Sequence, residues 1–275
     1  MEILGVDIGG SGIKGAIVDT KTGELKTERL RIPTPKPATP EAMAETLKEL
    51  VTQIGWKGPI ACGFPARVVN GVVYTAANID KSWLETPVEK VFSDAVGQEV
   101  FVANDADVAG IAEMHFGAGR AYQRGKAMVI TIGTGIGSAL FLDGKLYTNS
   151  ELGHVLLHGD SAERYCADSA REREGLKWKD FGKRFNEYLS HIEFILAPDV
   201  FILGGGASKK FDKFKDELTV KAPVIPAESL NLAGIIGAAM YGEIRVKQAK
   251  ELAKEAKEKD KDEKGSKKKS RKDKE

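Results

Sequence analysis

The stretch Ile3–Asp19, "ILGVDIGGSGIKGAIVD", decides the fold of this chain. It reads as a strand, a glycine turn and a second strand. Inside it, Gly10-Ser11-Gly12-Ile13-Lys14-Gly15 matches the GxGxxG pattern of dinucleotide-binding proteins. That pattern needs a helix directly after its glycines, because the pyrophosphate rests on the helix N-terminus. Here the short, β-prone "AIVD" follows, and then a turn at Lys21-Thr22-Gly23. The dinucleotide reading therefore fails, and GxxxxGK[ST] is absent as well. What remains is a hairpin whose Gly9 and Gly10 backbone and Ser11 hydroxyl can cradle a phosphate. Asp7 precedes the turn, where a carboxylate can hold Mg²⁺ directly or through water. Lys14 can act as a point charge on phosphate. A plain glycine-rich hairpin is the alternative for a single copy.

A second copy exists. Residues 127–146, "AMVITIGTGIGSALFLDGKL", repeat the strand, glycine turn and strand, and "GIGSALFLDGKL" aligns with "GIKGAIVD…GEL". Internal similarity of this kind marks a duplicated unit. Thr131, Gly133, Thr134 and Gly135 then correspond to the first hairpin, and the two turns could face each other across a cleft. A third glycine cluster, "ILGGGASKK" at 202–210, ends a strand in Gly204, Gly205 and Gly206. Glycines at a strand end suggest a close approach to the backbone. Lys209 and Lys210, extended by Lys213 and Lys215, would attract an anion, unless "SKKFDKFK" is simply a solvated helix face.

The chain has 275 residues, 42% hydrophobic, enough for about two domains. A net charge of +1 excludes polyanion capture by overall charge. Cys62 and Cys166 are too few for a disulfide framework or a four-cysteine zinc site. No basic-then-apolar leader and no long apolar run is present, which suggests a soluble, reduced, cytoplasmic protein. From Glu243 onward, fourteen basic and nine acidic residues give a local +5. "IRVKQAKELAKEAKEK" is helix-forming, whereas "DKDEKGSKKKSRKDKE" has the composition of a disordered, solubilising tail.

Between the hairpins, Met43, Leu47, Leu50, Val51 and Ile54 recur at helical spacing over residues 41–54. "VFVANDADVAGIAEMHFG" is a strand that breaks at Asn104-Asp105, with a helix starting at once. Asp105 can be an N-cap or a base held on a rigid element. Asn104 carries both donors and acceptors suited to sugar hydroxyls. "NSELGHVLLHGD" offers Glu151 and His154, which could bind metal on a helix, although Gly153 favours a loop and a role on hydroxyls. His115, His158 and His191 have weaker claims.

Together, "DIGGSGIKGAIVD", "GFP", "AND", "TIGTGIGSALFLDGKL", "ELGH" and "ILGGGASKK" resemble, in order, the ROK branch of sugar kinases within the actin-like ATPase superfamily. The resemblance runs from about residue 3 to about 242. It implies an α/β, two-lobed actin-like (ribonuclease H-like) fold with an interlobe cleft and a duplicated hairpin unit. The small lobe would span 1–106, completed by a C-terminal helix at 232–258. The large lobe would span 107–231, with a disordered charged tail at 259–275. A narrower feature is visible. ROK kinases usually carry a cysteine-rich zinc motif after ExGH, but "HGDSAERYCADSAREREGLKW" holds only Cys166. That segment, "TAANIDKSW" and "GGGASKK" resemble the polyphosphate-using glucokinases of the family, which implies no zinc.

The resemblance implies phosphoryl transfer from inorganic polyphosphate, or also ATP, to the 6-hydroxyl of glucose, with Mg²⁺. Asp105 would be the base, ionised at neutral pH if it behaves as an ordinary carboxylate near 3.9. Asn78, Asn104, Glu151 and His154 would hold the sugar. The two hairpins with Lys14 would hold phosphate, Asp7 would place Mg²⁺, and Gly204–Gly206 would line the donor channel beside Lys209 and Lys210. A homodimer is implied, with no membrane and no specific nucleic acid as partner. The alternatives are a strictly ATP-dependent ROK kinase, a sugar-sensing regulator, for which no N-terminal helix-turn-helix is visible, and another actin-like ATPase.

Overall fold

The protein was analysed as a computed structural model that describes residues 1–76, 79–229 and 232–272. The opening stretch forms β1 (Glu2–Gly9) and β2 (Gly12–Asp19), an antiparallel hairpin whose last pair is Gly9 with Gly12. Only Gly10 and Ser11 remain for the turn, so no helix follows the glycines. In β1 the alternation separates two faces. Leu4, Val6 and Ile8 enter one core, while Ile3 enters another. Asp7 shares the Ile3 face.

The first sheet continues with β3 (Glu24–Leu25), β4 (Leu30–Ile32), β5 (Ile60–Phe64) and β8 (Val100–Asn104). The small hairpin β6 (Val68–Val69) and β7 (Val72–Val73) leaves from the end of β5. The second sheet contains β9 (Lys126–Ile132), β10 (Ile136–Leu142), β11 (Lys145–Tyr147), β14 (Val200–Gly204) and β15 (Val224–Pro226); β12 (Leu156–Leu157) and β13 (Asp160–Ser161) pair separately. The strand orders are β3-β2-β1-β5-β8 and β11-β10-β9-β14-β15, with β4 also on β2. In each, an antiparallel hairpin is extended by two parallel strands. The repeat read from the sequence is thus a repeat of topology, and the α/β actin-like expectation is met.

Helices fill the space around the sheets in five layers. The first core packs α1 (Pro40–Ile54) and α2 (Val88–Val96) on one face of the first sheet, through Leu47, Leu50, Phe92 and Trp83. In α1, Met43, Leu47, Leu50 and Val51 are buried as their spacing predicts, and Thr39 caps its start. The second core lies between the sheets. It joins Ile3 and Val18 to Ile111 of α3 (Asp105–Phe116), Ile235 of α8 (Ala233–Lys272), and Val129 and Ile202 of the second sheet. The third core covers the far face of the second sheet with α4 (Ala162–Cys166), α5 (Asp168–Arg173) and α6 (Trp178–Leu196), whose Phe181, Phe185 and Tyr188 are fully buried. The short α7 (Gly205–Ser208) follows β14 directly.

α8 continues through Lys272, beyond the 258 boundary, where composition had suggested coil. The segment contains no proline and is rich in Lys, which tolerates helix well. Asn78 lies outside the described residues.

The two helices of the middle layer meet closely. A Cβ added at Gly237 of α8 would overlap the carbonyl oxygen of Val108 in α3. The two helices therefore meet backbone to backbone, and no side chain of any size fits. Gly237→Ala is expected to cost about 3 kcal/mol by forcing the helices apart, read as a lower Tm in thermal unfolding, with a conservative exposed change such as Lys90→Arg as the unaffected control.

Candidate active site

The two glycine hairpins line one cavity of about 640 Å³. Gly9, Gly10 and Ser11 stand on one side, and Thr131, Gly133, Thr134 and Gly135 on the other. Asn104, Asp105, Glu151 and His154 close the same cavity. An adjoining cavity of about 490 Å³ is lined by Asp7, Lys14, Arg29, Arg31, Gly204, Gly205, Gly206 and Lys209. Asp105, Thr131 and Gly205 belong to both walls. Asn78 lies outside the described residues; of the other residues given a site role by the resemblance, all but Lys210 line one of these two spaces, and Lys213, Lys215, His115, His158 and His191 line neither. Lys210 is exposed and lies outside both linings.

β8 passes into α3 without an intervening residue. The helix start needs an acceptor for its free N–H groups. Asn104 supplies it: its Oδ1 accepts from Ala106 N at 2.8 Å and Asp107 N at 3.2 Å. The cap is thus Asn104, not Asp105. Asn104 Nδ2 donates to Ala66 O at 3.2 Å and reaches Glu151 Oε1 at 3.4 Å. Its amide is almost fully engaged within the protein, so its hold on any ligand runs largely through Glu151.

Asp105 is placed at helix position one, with its own Oδ1 accepting from Ala106 N at 2.8 Å. An added Cβ at Gly137 of β10 would lie 2.7 Å from Ala106 Cβ, so the second hairpin is seated directly beside this carboxylate. Burial pushes the Asp105 carboxyl up to about 7; the Ala106 N–H opposes this, and the negative charges of Asp7 and Glu151 add to it. The expectation of an ordinary carboxylate, fully ionised at neutral pH, is corrected accordingly. Removal from water and nearby carboxylates both disfavour the charge. A base with a pKa near the working pH is well matched to taking a proton.

Glu151 precedes a short 3₁₀ turn, Leu152–His154, in place of a regular helix. Its Oε2 lies 3.7 Å from His154 Nε2. Burial raises the Glu151 carboxyl, and His154 and Arg67 oppose the rise. His154 Nδ1 faces Ser161 Oγ at 3.1 Å, and Ser161 Oγ lies 3.1 Å from Gly153 O. If the hydroxyl proton goes to that carbonyl, Ser161 accepts from Nδ1–H, which leaves Nε2 as an acceptor for a ligand hydroxyl. Among the described residues, no cluster of three or more His, Cys, Asp or Glu could hold a metal ion. Cys166 is buried in the third core.

On the other side of Asp105, Lys14 Nζ donates to Asp7 Oδ2 at 2.9 Å, because the two are register partners across the hairpin. Sequence reading gave them separate ligands; here they neutralise each other. Arg29 and Arg31 were not anticipated. They alternate around the start of β4, and the Arg31 guanidinium donates to Ser11 O at 2.6 Å. The i, i+2 spacing in "ERLRIP", directly after the first hairpin, was the available signal. Gly205 has φ +81°, and an added Cβ would overlap Ile132. Its glycine is required by the chain itself, whereas Gly206 faces open space.

These features can be set against known proteins. Residues 3–172 match the ROK family. The chain is 46% identical over 238 residues to the polyphosphate glucokinase of Mycobacterium tuberculosis (strain ATCC 25618 / H37Rv), covering 86% of this chain and 89% of that one. The inorganic polyphosphate/ATP-glucomannokinase from Arthrobacter sp. strain KM superposes with a TM-score of 0.85 at 45% identity, over 89% of this chain and 99% of that one. A ROK family glucokinase from Streptomyces griseus, solved with glucose and AMPPNP, shares the fold with a TM-score of 0.74 at 23% identity, over 87% and 98%. The two-sheet architecture, the paired glycine hairpins and this extent of identity agree: the chain belongs to the ROK family.

Proposed function

We propose that this chain transfers the terminal phosphoryl group of inorganic polyphosphate to the 6-hydroxyl of glucose, with ATP as a second donor. One observation carries the reading. A single carboxylate, Asp105, lies in the wall shared by a hydroxyl-binding cavity and a cationic cavity. The names of the two relatives near 45% identity support the choice of donor and acceptor.

Glucose would sit against Glu151 and His154, with Asn104 orienting Glu151 and Asn78 contributing from its loop. The donor would lie between the hairpins, its terminal phosphorus near Asp105 and its remaining phosphates along Lys14, Arg31, Arg29 and Lys209. The glucose 6-oxygen forms the new P–O bond. The bond from that phosphorus to the bridging oxygen breaks, and the chain leaves one unit shorter. The hydroxyl proton passes to Asp105. Such a reaction depends mainly on in-line positioning and charge neutralisation. The hairpin N–H groups and the cationic side chains meet that need.

Asp7 suits Mg²⁺, since one carboxylate in a phosphate-binding cavity is what this ion ordinarily takes from a protein. When bound, it would neutralise phosphate oxygens. Lys14 would then turn from Asp7 to the donor. Lys210 would act only at long range, from outside the cavity.

Among the described residues, no helix is long and apolar enough to cross a membrane. Both cysteines are buried and free, which fits a reducing cytoplasm. Exposed Phe194 and Ile195 on α6 support assembly as a homodimer. The basic end of α8 has no assigned partner.

The direct test follows glucose 6-phosphate formation with Mg²⁺ and nucleotide-free polyphosphate, with ATP in parallel and mannose as the competing sugar. Turnover with polyphosphate above that with ATP is the expected result. ATP-only turnover would overturn the donor, and no turnover with either would overturn the reaction.

Asp105→Asn is expected to lower kcat by about 10²–10⁴ while stabilising the fold at pH 8. The sign follows from its raised carboxyl. Between an ordinary value near 3.9 and about 7, the folded chain keeps a proton that the unfolded chain has lost. Stability from this group is therefore full below about pH 4 and lost as pH rises through about 7. Thermal melts should show a Tm gain of roughly 3 °C or more at pH 8, fading by pH 4. Arg31→Ala is expected to raise KM for polyphosphate about tenfold at low salt, and by less at high salt, with KM for glucose within about twofold in steady-state assays.

A further inference from the structure

Glu151 is carried on a loop that reaches across the molecule. On its second-sheet side the loop is tied to Ser138 of β10. Ser150 Oγ donates to Ser138 O at 2.9 Å, Leu152 N donates to Ser138 Oγ at 3.0 Å, and Ser138 Oγ also pairs with Ser150 O. On the other side stands Asn149. Its Oδ1 accepts from Val68 N at 3.0 Å, and its Nδ2 donates to Val68 O at 2.9 Å. The carboxamide thus takes the place of a strand partner for β6, 81 residues away in sequence. Asn149 has φ +60°, a left-handed conformation that Asn tolerates and that aims its side chain at Val68. In the same conformation its N–H donates to Asp107 Oδ2 at 2.8 Å. Asp107 lies on α3, two residues after Asp105, and is 1% exposed.

Three parts of the sugar side converge on this one residue. Val68 follows the Pro65-Ala66 wall of the cavity, and Ala66 O accepts from Asn104. Asp107 follows Asp105. Ser150 leads to Glu151. We infer that Asn149 is a positioning residue for the sugar site: by bridging β6, α3 and its own loop it fixes Glu151 relative to Asn104 and Asp105. It does not line the cavity itself. Without the side chain, the loop would lose its tie to β6 and keep only those to Ser138 and Asp107, and Glu151 would sample positions away from Asn104. Small misplacements of a binding group weaken ligand positioning strongly. The cationic cavity lies beyond Asp105, and its lining contains none of Val68, Asp107, Asn149 and Glu151.

The inference rests on the sugar kinase reading, and the experiment separates the two. Asn149→Gly keeps the left-handed backbone and its N–H to Asp107 and deletes only the bridge to Val68. With wild type active on glucose, the variant is expected to raise KM for glucose about tenfold or more and to leave KM for polyphosphate within about twofold. Asp107→Ala should act in the same direction, whereas Asp107→Asn, which retains an acceptor for Asn149 N–H, should stay close to wild type. A purely structural role would lower Tm and leave the ratio of the two KM values unchanged, and that result would overturn the proposal. An inactive wild type would count against the sugar kinase reading instead. In that case amide exchange still decides the bridge: faster exchange over 149–152 in Asn149→Gly supports it, and unchanged exchange refutes it.

Discussion

The direct passage of β8 into α3 is the constraint on which the site depends. A strand that becomes a helix without a loop must satisfy the first helical N–H groups from its own last residue. Asn104 does this, and its two N–H···O contacts fix the first turn of α3. Asp105 is thereby held at the top of a helix, on the edge of a sheet, with neither element free to shift. A carboxylate in such a place needs no supporting loop to keep its direction. Glu151, by contrast, lies on a loop and is fixed by bonds reaching it from two sheets.

The same arrangement sets a conflict between stability and function. Asp105, Asp107 and Glu151 are gathered where the chain withdraws them from water, and each carboxyl is raised. Desolvation is the first cause in all three cases; the charge of Glu151 adds to it at Asp105 and Asp107, and that of Glu163 adds to it at Glu151. Asp107 has one oxygen with no hydrogen-bond partner within the protein. A folded chain would be better off with neutral groups here. The cationic cavity next door is complementary in sign, and a phosphate donor entering it would meet Lys14 only after that lysine leaves Asp7. Charge is therefore arranged in pairs across the cleft rather than as one field over the molecule, in keeping with a net charge of only +1.

Much of this was legible in the sequence because it is local. The two hairpins announce themselves by β-prone residues after glycine, where a dinucleotide fold would need a helix. The strand break at Asn104-Asp105 was visible too, but not which of the two residues caps, since that depends on a one-residue difference in where β8 stops. Arg29 and Arg31 escaped notice because β4 is three residues long and carries no glycine motif of its own. Lys209 and Lys210 look alike in a string, yet only Lys209 faces the cavity. The raised carboxyl of Asp105 could not be read at all, because it comes from burial by elements distant in the chain. The Asn149–Val68 bridge is invisible for the same reason.

The position of α8 has a consequence for the birth of the protein. Residues 233 onward cover β1, which is made first, and meet α3 backbone to backbone at Gly237 and Val108. Until they leave the ribosome, Ile3 and Val18 lack the cover of α8 and the middle layer is half empty. The second sheet, contained within residues 126–226, can close on its own as it emerges. The first sheet must wait with one face bare. A nascent chain stopped short of α8 would thus possess both hairpins and every cleft residue named above, yet only α3 and the loop of Asn149 and Glu151 would join the two halves that make the site.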